Sequence, residues 1–409
     1  MTSSSQIDSH GELSLGLELE IGDWMIKLRD SMSFVLASLA LITFLASCTA
    51  VSKLELERHD LFTIPLGTLP GELDWFYRGG AVDMVDIQTR DGLIYISSSR
   101  RGKVMVFNSY GDLLTVVYDP SRNAVPSEGG VLNSSVSSWS FRSPQIITAF
   151  NGGFLVGDRV RLREDLADNE QSTVFNQVLL RFDREGNYLG HLGREGLGGS
   201  PFPDIFAIDI RHNGEIVVTC HSVISGTWFS YWYTKDGYPI TTIQIKKNQL
   251  PGVIDDKDVS IQAVRPDPKK WFLYVKADFY DKMEPGKELE ARLYPLDLST
   301  LEYTESISLP YDEELTDMGY PLGPPEYLGA TLNGSHAMLY PEGVNTYRIS
   351  MIDAQGRVTH NRQLEIDDDS KIYRRFKIQN NGLLTGIFFG NSRAMISWWR
   401  LDEILKKNQ

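Results

Sequence analysis

Residues 213–245 read NGEIVVTCHSVISGTWFSYWYTKDGYPITTIQI and show how the chain is organised. Two dipeptides, Asn213-Gly214 and Asp236-Gly237, separate segments that are rich in β-branched and aromatic residues. Such dipeptides supply the positive φ angles that a two-residue hairpin turn requires. The stretch therefore predicts consecutive antiparallel strands joined by tight turns.

The same alternation of strand-like segments and turns recurs along the chain. First-turn glycines or their equivalents lie at positions 92, 152, 214, 268, 334 and 382, which gives six units. Each unit predicts four strands, and a ring of four-stranded antiparallel sheets is a β-propeller. The sixth unit lacks its last strand, but the segment LFTIPLG at 61–67 precedes the first unit. We expect this N-terminal strand to complete the sixth blade, because closing the ring removes an exposed sheet edge.

The units are longer than the ~40–50 residues of compact blades. Insertions at 120–142, 159–173 and 278–290 account for the excess, and we expect them to form loops on the propeller. A pair of β-sandwiches is the structural alternative, but it does not predict so regular a recurrence. No seventh pair of turns occurs in the sequence.

Two segments carry a family resemblance. VMVFNSYGDLL at 104–114 and LLRFDREGNYLGHLG at 179–193 resemble the hairpin between the third and fourth strands of NHL-type six-bladed propellers, in which an aromatic residue and Asp or Asn precede a turn with Gly. Units four and six depart most from this pattern. The resemblance implies an all-β, NHL-like six-bladed propeller over 61–405. It implies no activity, because such folds include binding scaffolds, sensor ectodomains and some hydrolases or lyases.

An uncharged segment near the N-terminus predicts export. Residues 33–46 read SFVLASLALITFLA and follow Lys27 and Arg29. The segment is shorter than the ~20 residues that a membrane-spanning helix needs, and its flanks are typical of a secretory signal peptide. Residues 1–24 contain acidic residues and no Lys or Arg, the wrong charge for a leader. We therefore interpret 1–24 as an extension upstream of the true start at Met25.

The export segment ends in Leu45-Ala46-Ser47-Cys48, which resembles the lipobox of bacterial lipoproteins. The resemblance implies that a diacylglycerol is attached to Cys48, that the signal peptide at 25–47 is removed, and that 48–60 form a lipidated tether. The propeller is then held at a membrane of the bacterial cell envelope, either periplasmic or exposed at the surface. An uncleaved signal anchor is the alternative.

Composition and motifs exclude several classes of protein. The formal net charge of −14 argues against a nucleic-acid partner, which would require a basic surface. The chain contains no GxSxG, HExxH, P-loop or CxxC motif. Its two cysteines rule out a disulfide scaffold, and Cys220 in GEIVVTCHS is expected to be a buried thiol on a strand.

The predicted function is therefore binding of a protein or glycan partner, without a cofactor. The competing hypothesis is a metal-dependent hydrolase. Six-bladed lactonase-type propellers hold a divalent cation such as Ca²⁺ with channel carboxylates, and a resemblance to them would implicate acidic residues that precede the first turns: Asp83, Asp86, Asp204 and Asp209. Solvated strand ends or turn contacts are the simpler interpretation of these residues. A purely structural spacer is a third possibility.

The segment WFSYWY at 228–233 is denser in aromatic residues than core packing requires. Because neighbours in a strand face opposite ways, one row is expected to pack inward while the other is exposed as a binding surface. The candidate residues are Trp228, Tyr231, Trp232 and Tyr233. Burial of both rows in the core is the alternative.

Overall fold

The computed structural model describes residues 55–74, 84–124, 134–160, 176–252, 257–284, 288–310, 324–342, 346–366 and 373–406. These residues form six small sheets arranged as a six-bladed β-propeller. The strands pair antiparallel in every sheet, except for one strand of the first blade that pairs in parallel. The six-bladed, all-β prediction is confirmed. Cys48 and the signal segment lie outside the described residues, so the lipobox and the tether stay predictions.

Each blade begins with an inner strand and proceeds outward. The first three blades contain these strands: β2 (Val85–Arg90), β3 (Leu93–Ser98), β4 (Lys103–Asn108), β5 (Leu113–Tyr118) and β6 (Ser135–Ser138); β7 (Ile146–Phe150), β8 (Gly153–Arg159), β9 (Gln177–Asp183), β10 (Tyr188–Gly193) and β11 (Gly196–Leu197); β12 (Asp204–Ile210), β13 (Ile216–Ser222), β14 (Thr227–Tyr233) and β15 (Pro239–Ile245).

The last three blades contain β16 (Lys257–Pro266), β17 (Phe272–Asp281), β18 (Glu288–Asp297), β19 (Glu302–Tyr303) and β20 (Ile307–Leu309); β21 (Glu326–Ala330), β22 (His336–Pro341), β23 (Thr346–Ile352) and β24 (Val358–Glu365); and β25 (Tyr373–Ile378), β26 (Leu383–Phe389), β27 (Arg393–Arg400) and β1 (Arg58–Pro65). A short helix, α1 (Leu401–Lys406), follows β27 and packs Leu401 and Leu405 between blades 5 and 6. No helix in the described ranges is long and apolar enough to cross a membrane.

The N-terminal strand closes the ring as predicted. β1 pairs antiparallel with β27, with Phe62 opposite Ile396 and Ile64 opposite Ala394. Ile64 is 1% exposed and packs in a cluster with Val85 of blade 1. The strand starts at Arg58, inside the segment predicted as a tether.

The turns show why the repeat was visible in the sequence. Asp91 and Gly92 have φ angles of 52° and 77°, the positive values that a type I′ turn requires at both central positions. Blade 4 lacks such a pair. Its turn is held instead by the Asp267 carboxylate, which accepts hydrogen bonds from the backbone N–H groups of Lys269 and Lys270 at 2.7 and 2.6 Å.

Two of the predicted insertions differ from the expected loops. Residues 278–290 lie mostly within β17 and β18, which are ten residues each and extend the blade 4 hairpin. Residues 120–142 include β6, which pairs parallel with β5 as a fifth strand. Most of 159–173 lies outside the described residues. Blades 1, 2 and 4 each contain five strands, one more than the repeat predicts.

The hydrophobic core is divided among the six interfaces between neighbouring blades. Blade 6 packs on blade 1 through Ile64, Ile387 and Ile396 against Val85 and Ile87, and each other neighbouring pair shares a comparable cluster. Both faces of a blade are thus buried against a neighbour, while the inner strands contact one another in sequence around a central channel.

Candidate ligand site in the central channel

A cavity of about 350 Å³ lies in the channel where the inner strands finish and the first turns begin, an end that we call the turn end. All six blades contribute to its lining, and most of the lining side chains are polar. They are Gln88, Thr89, Arg90, Asp91, Thr148, Ala149, Ile208, Asp209, Ile210, Arg211, His212, Arg265, Leu328, Leu332, Lys377, Ile378, Gln379, Asn380 and Asn381. Its volume lies within the range of about 300–1,000 Å³ that small-molecule sites occupy.

A first cluster of ion-paired side chains in the channel, formed by Asp86, Arg375 and Lys377, joins blades 6 and 1. The buried Asp86 carboxylate lies 3.3 Å from Nε of Arg375 and 3.4 Å from Nζ of Lys377. It also accepts a hydrogen bond from the Ile147 backbone N–H at 3.1 Å, which ties blade 2 to the same group. Burial lowers the pKa of Lys377, and the nearby Asp86 charge partly offsets this effect.

A second ion pair joins blades 3 and 4. Nη1 of Arg265 lies 3.3 Å from both carboxylate oxygens of Asp209. The residues that line the cavity include four cations, Arg90, Arg211, Arg265 and Lys377, and two carboxylates, Asp91 and Asp209. The lining therefore carries an excess of formal positive charge, although the chain as a whole is acidic.

The turn end is narrowed by contacts between blades. Asn380 of blade 6 donates a hydrogen bond from Nδ2 to the Ile210 carbonyl of blade 3 at 3.0 Å, and so reaches across the ring. The buried Arg211 donates to the carbonyls of Asp267, Lys269 and Lys270, which fixes the turn of blade 3 against that of blade 4. These bonds hold the cavity walls in one arrangement.

A buried polar network lies between blades 4 and 5. The Tyr274 hydroxyl donates to the Asp267 carboxylate at 3.0 Å, and the Tyr327 hydroxyl lies 3.1 Å from Nδ1 of His336. Nε2 of His336 has no hydrogen-bond partner among the described atoms. Burial lowers the pKa of His336 to about 4, so this side chain is neutral near neutral pH.

The acidic residues predicted from sequence do not converge. Asp83 lies outside the described residues, whereas Asp86 and Asp209 are each paired with cations in different parts of the ring. Burial raises the pKa of Asp204, and Arg159 and His221 act against this effect. Within the described ranges, no three His, Cys, Asp or Glu side chains are grouped so that they could hold a metal ion.

The prediction of an exposed aromatic row on β14 is wrong. Trp228, Tyr231, Trp232 and Tyr233 are all buried, none more than 7% exposed. The two tryptophans pack between blades 3 and 4, and the two tyrosines pack between blades 2 and 3. The prediction failed because it treated the sheet as covered on one face, whereas a blade is covered on both.

Polar contacts show how these rings are accommodated. Nε1 of Trp232 donates to the Ser230 hydroxyl at 3.0 Å, and its ring centroid lies 5.0 Å from the Arg211 guanidinium carbon. The Tyr233 hydroxyl donates to the Gly193 carbonyl at 2.9 Å, and burial raises its pKa. Cys220 is a buried free thiol on β13, as the sequence predicted.

Sequence reasoning did not identify Arg265, Arg375 or Lys377 as site residues. They lie on inner strands, in VRPD at 264–267 and RRFKI at 374–378, where cations face the channel in alternate positions. The signal was a positive charge at alternate positions of β25, on either side of the buried Phe376. The described residues thus define a class of protein: a closed six-bladed propeller with a charged cavity in its channel.

No protein-family profile and no curated protein matches the chain. Among solved structures, it is similar to the Dos1 propeller, at 13% identity and a TM-score of 0.36, over 80% of this chain and 69% of the other. It is similar to an ulvan lyase described as a new family of polysaccharide lyase, PL25, at 11% identity and a TM-score of 0.40, over 76% and 78%.

The chain is also similar to the β-propeller domain of the Trilobed protease from Pyrococcus furiosus, at 8% identity and a TM-score of 0.35, over 78% of this chain and 95% of the other. Likeness at this level assigns no activity to this chain. The NHL resemblance stays a prediction.

Proposed function

We propose that the protein is a bacterial envelope lipoprotein, tethered through Cys48, whose propeller binds a protein or glycan partner at the turn end of the channel. The observation that carries the binding role is the cavity of about 350 Å³, which all six blades line and to which five of them contribute polar side chains. Loops and turns on a rigid scaffold are a common location for binding residues. The interblade hydrogen bonds of Asn380 and Arg211 support such a preorganised site.

The charges favour binding over metal-dependent hydrolysis. A hydrolytic divalent cation needs several oxygen ligands brought together, and its ligands include carboxylates. Here the Asp86 and Asp209 carboxylates each contact a cation from a neighbouring blade. No specific observation among the described residues favours the hydrolase.

The tether is tested by replacing Cys48 with Ser. We expect the full chain to incorporate labelled palmitate and to fractionate with membranes, and we expect C48S to incorporate none, because the thioether to diacylglycerol requires the cysteine sulfur. A chain with Cys220→Ser is the matched control and is expected to label fully. Equal labelling of the C48S chain would contradict lipid attachment at this residue.

The binding site is tested by photo-cross-linking in cells. A photoreactive amino acid placed at Asn381, which lines the cavity, is expected to cross-link a partner. The same amino acid at Lys235, in the exposed turn between the outer strands of blade 3, is the control. Products from position 235 and none from position 381 would place binding elsewhere on the propeller and contradict the channel site.

A further inference from the structure

Two cations that line the same cavity have hydrogen-bond donors that the described residues leave unused. Arg265 uses only Nη1, which contacts Asp209, and its buried Nε has no partner among the described atoms. Lys377 contacts the Asp86 carboxylate at 3.4 Å as an ion pair and donates no hydrogen bond to any described residue. Both side chains are only 12% exposed and both line the cavity.

Such an arrangement is costly without a ligand or water. Buried charged groups are destabilising unless they are paired and their hydrogen-bond donors are satisfied. The Asp86 carboxylate is already shared between Arg375, Lys377 and the Ile147 N–H. The formal positive charge of the residues that line the cavity exceeds their negative charge, so the cavity can accept an anion.

The chemistry of the donors favours a carboxylate. A guanidinium presents a planar fork of N–H donors that matches the two oxygens of a carboxylate, and an ammonium supplies a point charge. Glu326 lies near Arg375, but it is exposed and does not line the cavity. The Tyr327 hydroxyl lies near Arg265, and burial keeps its pKa well above its usual range, so Tyr327 adds no negative charge.

The neutral part of the lining favours hydroxyl groups on the same ligand. Gln88, Thr148, Gln379 and Asn381 add amides and a hydroxyl from three blades, and each of these groups can both donate and accept hydrogen bonds. Six of the nineteen lining residues are apolar, including Leu328 and Leu332, so polar groups predominate. Its volume suits one small molecule.

We propose that the channel cavity binds a small hydroxylated carboxylate, such as a sugar acid, with the carboxylate between Lys377 and Arg265 and the hydroxyl groups against Thr148 and the amides. This inference rests on the proposed function and names the ligand class of the same site. The ligand is either a free acid or an acidic residue at the end of a glycan.

The test is calorimetric titration of the full chain, purified in detergent at low ionic strength. The probes are D-glucuronate, D-galacturonate and D-gluconate, with D-glucose and acetate for comparison. At least one sugar acid is expected to bind 10-fold or more tightly than glucose and acetate. Lys377→Met and Arg265→Gln are each expected to weaken that binding at least 10-fold, while Lys235→Gln, which removes an exposed charge outside the cavity, leaves it unchanged.

Near-ultraviolet circular dichroism checks that each variant is folded. If a variant fails to fold, the affinities of the unaltered chain for the sugar acids, glucose and acetate still test whether the cavity prefers a hydroxylated carboxylate. The inference would be overturned if none of the three sugar acids bound. It would also be overturned if Lys377→Met and Arg265→Gln bound the sugar acid as tightly as the unaltered chain does. If the inference fails while Asn381 still cross-links a partner, the channel remains a binding site for a neutral or cationic ligand. A glucuronate-terminated oligosaccharide that binds more tightly than free glucuronate identifies the glycan source.

Discussion

Replacing Ile64 by Asp is expected to lower the free energy of unfolding by about 4 kcal/mol or more. Ile64 is 1% exposed on β1, where it packs between blades 6 and 1. The substitution removes a buried aliphatic side chain, which alone costs about 2–5 kcal/mol, and leaves an unpaired carboxylate in an apolar cluster. Denaturant unfolding of the two chains measures the difference.

Thr63→Asp is the matched control for this change. Thr63 is the neighbouring residue on β1 and is exposed, so the same carboxylate remains in water. We expect a change within about 0.5 kcal/mol. Similar losses from both substitutions would show that any charge on this strand is destabilising, and would contradict the inward direction of Ile64.

Lowering the pH from 7 to 4 is expected to destabilise the protein through His336. Burial lowers the pKa of this side chain from 6.5 to about 4 in the folded protein. Between these values the unfolded chain binds a proton that the folded protein does not, so stability falls as the pH falls. At about 1.4 kcal/mol per pKa unit, the loss from this group reaches about 3 kcal/mol near pH 4.

The variant His336→Asn isolates this contribution. Asn retains a polar group that can reach the Tyr327 hydroxyl, now 3.1 Å from Nδ1 of His336, but it does not titrate. Unfolding free energies at pH 7 and pH 4 are compared, and the pH-dependent loss is expected to shrink by about 3 kcal/mol in the variant. His360→Asn, at a partly exposed site, is the control. A variant that loses as much stability as the unaltered chain would contradict the role of His336.

The sequence predicted the blades because their turns are local. Asp91-Gly92 or Asn213-Gly214 gives a positive φ wherever it occurs, and the strands around it follow from short-range composition. Closure by β1 was also predictable, because the sixth unit lacked one strand and residues 61–67 supplied one. The fifth strands were not, because β6 pairs with β5 in parallel after a long connection and carries only four residues.

The channel site could not be predicted from the sequence, because its residues come from distant parts of the chain. Lys377 and Asp86 are far apart in the chain and meet only because the ring closes blade 6 against blade 1. The sequence identified Asp86 and Asp209 as candidate channel residues. It did not indicate that Lys377 and Arg265 lie beside them. Likewise, Trp228 and Tyr231 looked like two faces of a half-exposed sheet until the neighbouring blades covered both.

The most direct test of ring closure is a disulfide between β1 and β27. Thr63 and Met395 lie opposite each other in this antiparallel pair, where side chains of facing residues approach closely enough for an S–S bond. Both are changed to Cys in a full chain carrying Cys48→Ser, and the product is oxidised and analysed by mass spectrometry, with Thr63→Cys and Lys235→Cys as the mismatched pair. We predict an intrachain 63–395 disulfide and none between 63 and 235. A 63–395 pair that stays reduced, or that links only separate chains, would contradict the closed six-bladed ring.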